Sequence, residues 1–161
     1  MTDNRDPTPV PEVSVRQFTD ELLDAARAAA YDDVAEALSV LARADSTPVP
    51  AAVVGELVDR CATAVGTHHR TDADAAYTVI VVDERGQLTE VERLPPGPRS
   101  AMRALLAALN HDTASREIHV ELATCGTPAD IVDVLAHLLV WIAELSKPSA
   151  AALPALSCFP D

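Results

Sequence analysis

The stretch of residues 77–94 constrains the fold of this chain more than any other. It begins with Tyr-Thr-Val-Ile-Val-Val at residues 77–82, an uncharged and largely apolar run. A polar segment containing Gly86 follows, and glycine adopts the positive φ of a hairpin turn without strain. The stretch therefore predicts a β-hairpin, with residues 77–82 as its first strand and residues 87–93 as its second.

The two predicted strands differ in character. The first has two apolar faces, Val79 and Val81 on one and Ile80 and Val82 on the other. Such a run is typical of a central strand that is covered on both sides. The second strand mixes apolar residues with glutamates, which is typical of an exposed edge. We therefore expect the hairpin to be a scaffold without a functional site of its own.

Helical periodicity of apolar residues predicts five helices in the rest of the chain. Three precede the hairpin and two follow it, at residues 14–30, 32–41, 50–66, 98–110 and 127–145. The last of these helices is apolar around most of its circumference. This composition predicts that it is sandwiched between two surfaces.

Residues 117–123 alternate between apolar and polar side chains, which predicts a third strand. Ile118, Val120 and Leu122 would then face the core. The predicted fold class is α+β, with three N-terminal helices followed by a β-β-α-β-α unit. Its small three-stranded sheet has the order 2-1-3, because a right-handed crossover places the third strand on the free side of the first.

Proline-rich and polar stretches divide the chain into four segments. Residues 1–13 are predicted to be a flexible tail, 14–66 a helical part, 67–146 an α+β part and 147–161 a C-terminal tail that docks on the body. A length of 161 residues is ordinary for a single domain. We therefore expect residues 14–146 to form one compact domain.

The formal net charge of −13 argues against partners that need a positive surface. Nucleic acid and anionic membranes repel so acidic a chain, so direct binding to either is not expected. Three cysteines without a CxxC pair are typical of free thiols in a reducing compartment. With no signal-peptide pattern, the sequence predicts a cytoplasmic protein whose partner is another protein or a second copy, and it identifies no small-molecule ligand.

Four residues around the end of the third predicted helix have metal-ligating side chains: His68, His69, Asp72 and Asp74. Imidazole and carboxylate groups are ligands for zinc and other transition metals. Adjacent histidines rarely bind one ion well, however, and the spacing matches no metal-binding motif. A solvated linker is the favoured interpretation, and no cofactor is predicted.

Four residues, at three candidate sites, carry side chains capable of acid–base or nucleophilic chemistry. His119 and Glu121 are neighbours on one face of the predicted third strand, where they would act beside a cleft. Cys125 precedes the last helix, whose N-terminus favours a thiolate. His137 lies on that helix, near the core. For each position the favoured alternative is structural: an outward polar row, a turn residue and a satisfied core histidine.

Apolar residues are in surplus at the C-terminal end of the chain: Val140, Trp141, Leu153, Leu156 and Phe159. One interpretation is a larger internal core. The other is an interface with a subunit or a partner, where aromatic residues are enriched. The sequence leaves both interpretations open.

Three functions are compatible with these observations. The leading hypothesis is a non-enzymatic interaction or regulatory module that self-associates, because no catalytic constellation accompanies the apolar surplus and the acidity. The second is a small enzyme or ligand-binding domain that uses the acid–base and thiol candidates around a cleft. The third is an acidic decoy of a nucleic-acid-binding protein, which requires carboxylates clustered at phosphate-like spacing on one face.

Overall fold

In a computed structural model of the chain, residues 12–44, 48–68, 72, 74–83, 85–147 and 154–158 are described. The predicted N-terminal tail lies outside these residues, except for its last two, which belong to the first helix. Residues 148–153 and 159–161 of the predicted C-terminal tail also lie outside them.

Six helices and one short hairpin make up the described structure. In chain order they are α1 (Glu12–Arg27), α2 (Tyr31–Ala42), α3 (Pro48–His68), β1 (Val81–Val82), β2 (Leu88–Thr89), α4 (Pro96–Leu109), α5 (Thr113–Thr124) and α6 (Pro128–Leu145). A single 3-10 turn, Val91–Arg93, connects β2 to α4. All five segments predicted to be helical are helices.

The predicted α+β fold class is wrong. Helices account for 72% of the described residues, and the sheet has two strands rather than three. The predicted β-β-α-β-α order is replaced by a hairpin followed by three helices. The strand order 2-1-3 does not arise, because the predicted third strand, residues 117–123, lies within α5.

The helical state of α5 has a local cause and a tertiary one. Asp112 caps the helix by accepting a hydrogen bond from the Ser115 backbone N–H at 3.0 Å. Val120 is buried, at 6% exposure, whereas Ile118 and Leu122 are 56% and 51% exposed. Positions four apart share one face of a helix. The apparent strand alternation therefore arises because Ile118 and Leu122 point outward from the helix while Val120 points inward.

β1 is not the covered centre of a sheet. Val81 pairs with Thr89 and Val82 with Leu88, in antiparallel register. Ile80 and Val82 remain 67% and 56% exposed. Their face stays open because none of the described helices packs over it.

α3 and α6 form the centre of the helical body, and each contacts all five of the other helices. Leu57 on α3 and Leu135 and Trp141 on α6 are fully buried, at 0% exposure. α6 is thus covered around most of its circumference, as its composition predicts. Even so, none of the described helices is both long and apolar enough to cross a bilayer.

A capping box fixes the start of α6. The Asp130 carboxylate accepts hydrogen bonds from the Thr127 backbone N–H and hydroxyl, both at 2.7 Å. In return, the Thr127 hydroxyl oxygen accepts from the Asp130 backbone N–H at 3.3 Å. These bonds satisfy donors that would otherwise lack a partner at the helix N-terminus.

Replacing Asp130 with asparagine is expected to lower the unfolding temperature at neutral pH. The hydrogen bonds from the Thr127 hydroxyl and then from its backbone N–H hold the pKa of Asp130 below its ordinary value of 3.8. A depressed folded-state pKa contributes stability that is fully present above 3.8 and is lost as the pH falls through the folded-state value. The difference in unfolding temperature between wild type and variant should therefore close in that acid range.

Thermal unfolding followed by circular dichroism across the acid range measures this difference. Glu36→Gln removes an exposed carboxylate on α2 and is the matched control. It should change the unfolding temperature far less than Asp130→Asn at neutral pH. Similar losses in both variants would mean that the capping box contributes no specific stability.

Candidate interaction surface

One side of the hairpin carries large apolar side chains that the described residues leave open. Ile80, Val82 and Leu88 are 67%, 56% and 79% exposed. Exposure alternates along residues 77–82, so Ile80 and Val82 share the outer face, and Leu88 lies directly across from Val82. We call these three residues the hairpin face. Contiguous exposed apolar side chains mark interaction surfaces.

The inner side of the same segment is anchored to the helical body. Tyr77 and Val79 are partly buried against the hydrophobic core. The Asn110 side chain, just after α4, pairs with the Tyr77 backbone: its Oδ1 accepts from the N–H at 2.8 Å and its Nδ2 donates to the carbonyl oxygen at 3.0 Å. A fixed inner side means that the hairpin face is presented in a defined orientation.

The turn between β1 and β2 fixes the register of the hairpin. Asp83 Oδ1 accepts hydrogen bonds from the backbone N–H groups of Arg85 and Gln87, both at 2.9 Å. Gly86 has a positive φ of 75°, as the sequence predicts. The register follows from this turn and places Val82 opposite Leu88.

Beyond β2 the chain is tied to α4 by charged groups. Glu92 forms an ion pair with Arg103 at 2.9 Å, and the Arg99 side chain donates to the Glu92 carbonyl oxygen at 3.0 Å. The strand ends here in the 3-10 turn, so β2 is short. Charge protects this side of the hairpin against pairing with another strand, whereas length does not distinguish the two sides, since β1 and β2 are equally short.

A smaller apolar pair lies on α5. Ile118 and Leu122 are exposed one helical turn apart, and exposed Glu117 and Glu121 precede them. The strand predicted at residues 117–123 would have placed Ile118 and Leu122 in the core. Two side chains bracketed by carboxylates form a narrower surface than the hairpin face.

The structure does not place the predicted acid–base pair, His119 and Glu121, on one face. His119 and Glu121 are two positions apart on α5, where side chains do not face each other. Cys125 is exposed at the C-cap of α5, and its Sγ lies 3.1 Å from the Leu122 carbonyl oxygen. His119 is partly buried, and its Nδ1 is enclosed without a hydrogen-bond partner in the described structure.

His137 is fully buried, at 0% exposure. Its Nδ1 lies 2.8 Å from the Asp133 carbonyl oxygen and 3.2 Å from Asp133 Oδ1. Its ring packs edge-on against Trp141, with 6.1 Å between ring centroids. These contacts are those of a histidine that takes part in core packing.

Two open grooves run along α1 and α3, and neither collects the catalytic candidates. The first, of about 390 Å³, is lined by Glu121 but not by His119, Cys125 or His137. The second, of about 610 Å³, is lined by none of the four. The described geometry therefore places no two of these side chains in either groove.

Two of the three thiols are kept in the protonated form. Burial raises the pKa of Cys61 to about 12. Burial also raises the pKa of Cys158, and the negative charges of Glu144 and Asp133 add to this effect. A thiol with a raised pKa is a poor nucleophile and a poor metal ligand.

The metal candidates are spread along the end of α3 and the segment after it. His68 is the last residue of α3, and it is exposed, as are Asp72 and Asp74. His69 lies outside the described residues. Among the residues that are described, no three histidine, cysteine or carboxylate side chains are grouped closely enough to hold a metal ion.

The predicted interface residue Trp141 is enclosed within the chain itself. Its Nε1 donates to the Ser157 carbonyl oxygen at 2.7 Å. The Glu144 carboxylate accepts hydrogen bonds from the Ser157 backbone N–H, at 2.8 Å, and from its hydroxyl. Residues 154–158 therefore lie against α6.

The other predicted interface residues are divided between the body and the undescribed parts of the tail. Val140 is partly buried on α6, and Leu156 is partly buried against the core. Leu153 and Phe159 lie outside the described residues. Among the described residues, the large exposed apolar side chains lie on the hairpin, on α5 and on α2.

The sequence predicted that the hairpin is a scaffold without a functional site of its own. The available signal was the uncharged run at residues 77–82. An uncovered apolar face and a covered one have the same sequence pattern, because the pattern does not report whether a distant segment packs on it.

No protein-family model, curated protein or solved structure matches this chain.

Proposed function

We propose that this chain is a non-enzymatic, acidic, cytoplasmic protein-interaction or regulatory module that self-associates. The observation that supports this proposal is the hairpin face: three large apolar side chains, 56–79% exposed, lie together on an element that is anchored to the core. Covering them with a protein surface removes apolar area from water, which is the dominant favourable term in association.

Charge favours the hairpin face over other surfaces for contact between two copies. With a net charge of −13, two copies repel each other over most of their surfaces. The run at residues 77–82 contains no charged residue. Contact through this segment brings two copies together without placing carboxylates against carboxylates.

The described residues at the C-terminal end do not offer a competing apolar surface. The surplus of apolar residues there suggested an interface, yet Trp141 has no exposed surface and Leu156 packs on the body. On α2, exposed Tyr31 and Val40 are nine positions apart in sequence and at opposite ends of the helix. In the hairpin face, by contrast, the exposed apolar side chains are neighbours of one another.

Sedimentation equilibrium from micromolar to millimolar concentration tests the proposal. Wild type should show a concentration-dependent mass above that of the monomer, and Ile80→Glu should remain a monomer over the same range. Val40→Glu is the matched control, because Val40 is 68% exposed and Ile80 is 67% exposed. This control introduces the same charge on α2 and should associate like wild type.

Circular dichroism establishes that each variant keeps its helical content, which is expected since both positions are exposed. A wild-type chain that stays monomeric up to millimolar concentration would overturn self-association. Equal weakening by Ile80→Glu and Val40→Glu would overturn the hairpin face as its location, because the effect would then come from added charge alone.

A further inference from the structure

We infer that two copies pair edge to edge along β1, in antiparallel orientation, with Val81 on the two-fold axis and a continuous four-stranded sheet as the result. This inference rests on the proposed self-association and specifies its geometry. The alternative geometry stacks one hairpin face on the other without joining the sheets.

The backbone of β1 has a free side. Asp83 N–H donates to the Gln87 carbonyl oxygen at 2.9 Å, so these two residues occupy a hydrogen-bonded position of the ladder. Hydrogen-bonded and non-hydrogen-bonded pairs alternate in an antiparallel ladder. Val82 is therefore in a non-hydrogen-bonded pair with Leu88, and its N–H and carbonyl groups point away from β2. The same alternation directs the backbone groups of Ile80 outward.

The free side of β1 lacks the charges and prolines that usually prevent strand addition, although β1 itself is only two residues long, as is β2. Natural edge strands are protected by charged residues, prolines, bulges or extreme shortness. Residues 77–82 contain neither a charge nor a proline. The outer side of β2, by contrast, is followed by Glu90 and by the 3-10 turn that holds the Glu92–Arg103 ion pair. An added strand is therefore expected at β1.

The side-chain pattern of β1 is self-complementary, which identifies the occupant as a second copy. A two-fold axis at Val81 places Ile80 of each copy opposite Val82 of the other copy. Both belong to the outer face, so the two copies join four apolar side chains across the new boundary, with Leu88 of each copy beside them. Asp83 lies opposite Val79 of the other copy, so no like charges meet there.

Engineered disulfides distinguish the two geometries in the full-length chain carrying Cys125→Ser, which removes the exposed native thiol. At the axis, the two Val81 residues form a non-hydrogen-bonded pair with Cα atoms about 4.5 Å apart, within disulfide reach. Val81→Cys should therefore yield a covalent dimer on mild oxidation. Leu88→Cys should not, because three strand spacings, at least about 14 Å, separate the two β2 strands.

A covalent dimer from Leu88→Cys but not from Val81→Cys would overturn edge pairing in favour of stacked faces, while leaving self-association intact. A wild-type dimer that neither variant links would also overturn edge pairing. A monomeric wild type would instead overturn the proposed function itself. Non-reducing electrophoresis with identification of the linked peptide provides the readout.

Val82→Pro gives an independent measurement. It removes the N–H group that points away from β2, whereas the ladder within one chain does not use that group. The apolar character of the hairpin face is retained. The dissociation constant should rise about tenfold or more, because each dimer loses two hydrogen-bond donors at the new boundary. An unchanged dissociation constant would overturn edge pairing.

Discussion

Trp141→Ala is expected to lower the free energy of unfolding by about 3–5 kcal/mol, the usual cost of removing a large aromatic side chain from a core. Trp141 is fully buried, packs edge-on against His137, and donates a hydrogen bond to the Ser157 carbonyl oxygen. The substitution therefore leaves a cavity beside α6. It also removes the hydrogen bond to Ser157 that helps to hold residues 154–158 against this helix. Urea denaturation followed by circular dichroism measures the loss.

Trp141→Phe separates these two contributions. It keeps much of the aromatic volume but removes the N–H donor, so it should cost about 0.5–1.5 kcal/mol, the usual net contribution of one hydrogen bond, because the Ser157 acceptor lies on an exposed residue. A loss below about 1 kcal/mol for Trp141→Ala would contradict the buried position, since core truncations of this size cost more. It would instead support the alternative in which Trp141 belongs to an interface.

Leu57→Ala is expected to cost about 2–5 kcal/mol, because Leu57 is fully buried on the central helix α3. The matched substitution Leu122→Ala on α5 should change stability by no more than about 0.5 kcal/mol, since Leu122 is 51% exposed. The same chemical change at both positions makes burial the main difference between them.

This pair of variants also tests the helical state of α5. In a strand at residues 117–123, Leu122 would face the core and its truncation would be costly. In α5 it faces outward, and alanine has a slightly higher helix propensity than leucine. Equal losses at Leu57 and Leu122, measured by the same urea titrations, would contradict the structure.

The sequence predicted most helices because their signals are local. α6 begins at a Thr-Pro-Ala-Asp segment that contains its capping box, and its apolar residues continue to Leu145. Gly86 marked the turn of the hairpin for the same reason, since only the local backbone requires its positive φ. Such signals depend on a few neighbouring residues, and these are visible in any window of the chain.

The error at α5 came from a pattern with two valid interpretations. Ile118, Val120 and Leu122 alternate as in a strand, but Ile118 and Leu122 are also one helical turn apart. The cap at Asp112 is the local signal that favours a helix here. Over seven residues the two periods differ too little to decide between them, so packing decides.

The same dependence on packing explains why no functional surface was predicted on the hairpin. Residues 77–82 by themselves determined an extended, uncharged segment that leads into a turn. Only the tertiary structure decided that Tyr77 and Val79 face the body while Ile80 and Val82 face outward. Burial of a strand face depends on segments remote in sequence, and here none of the described helices packs over that face.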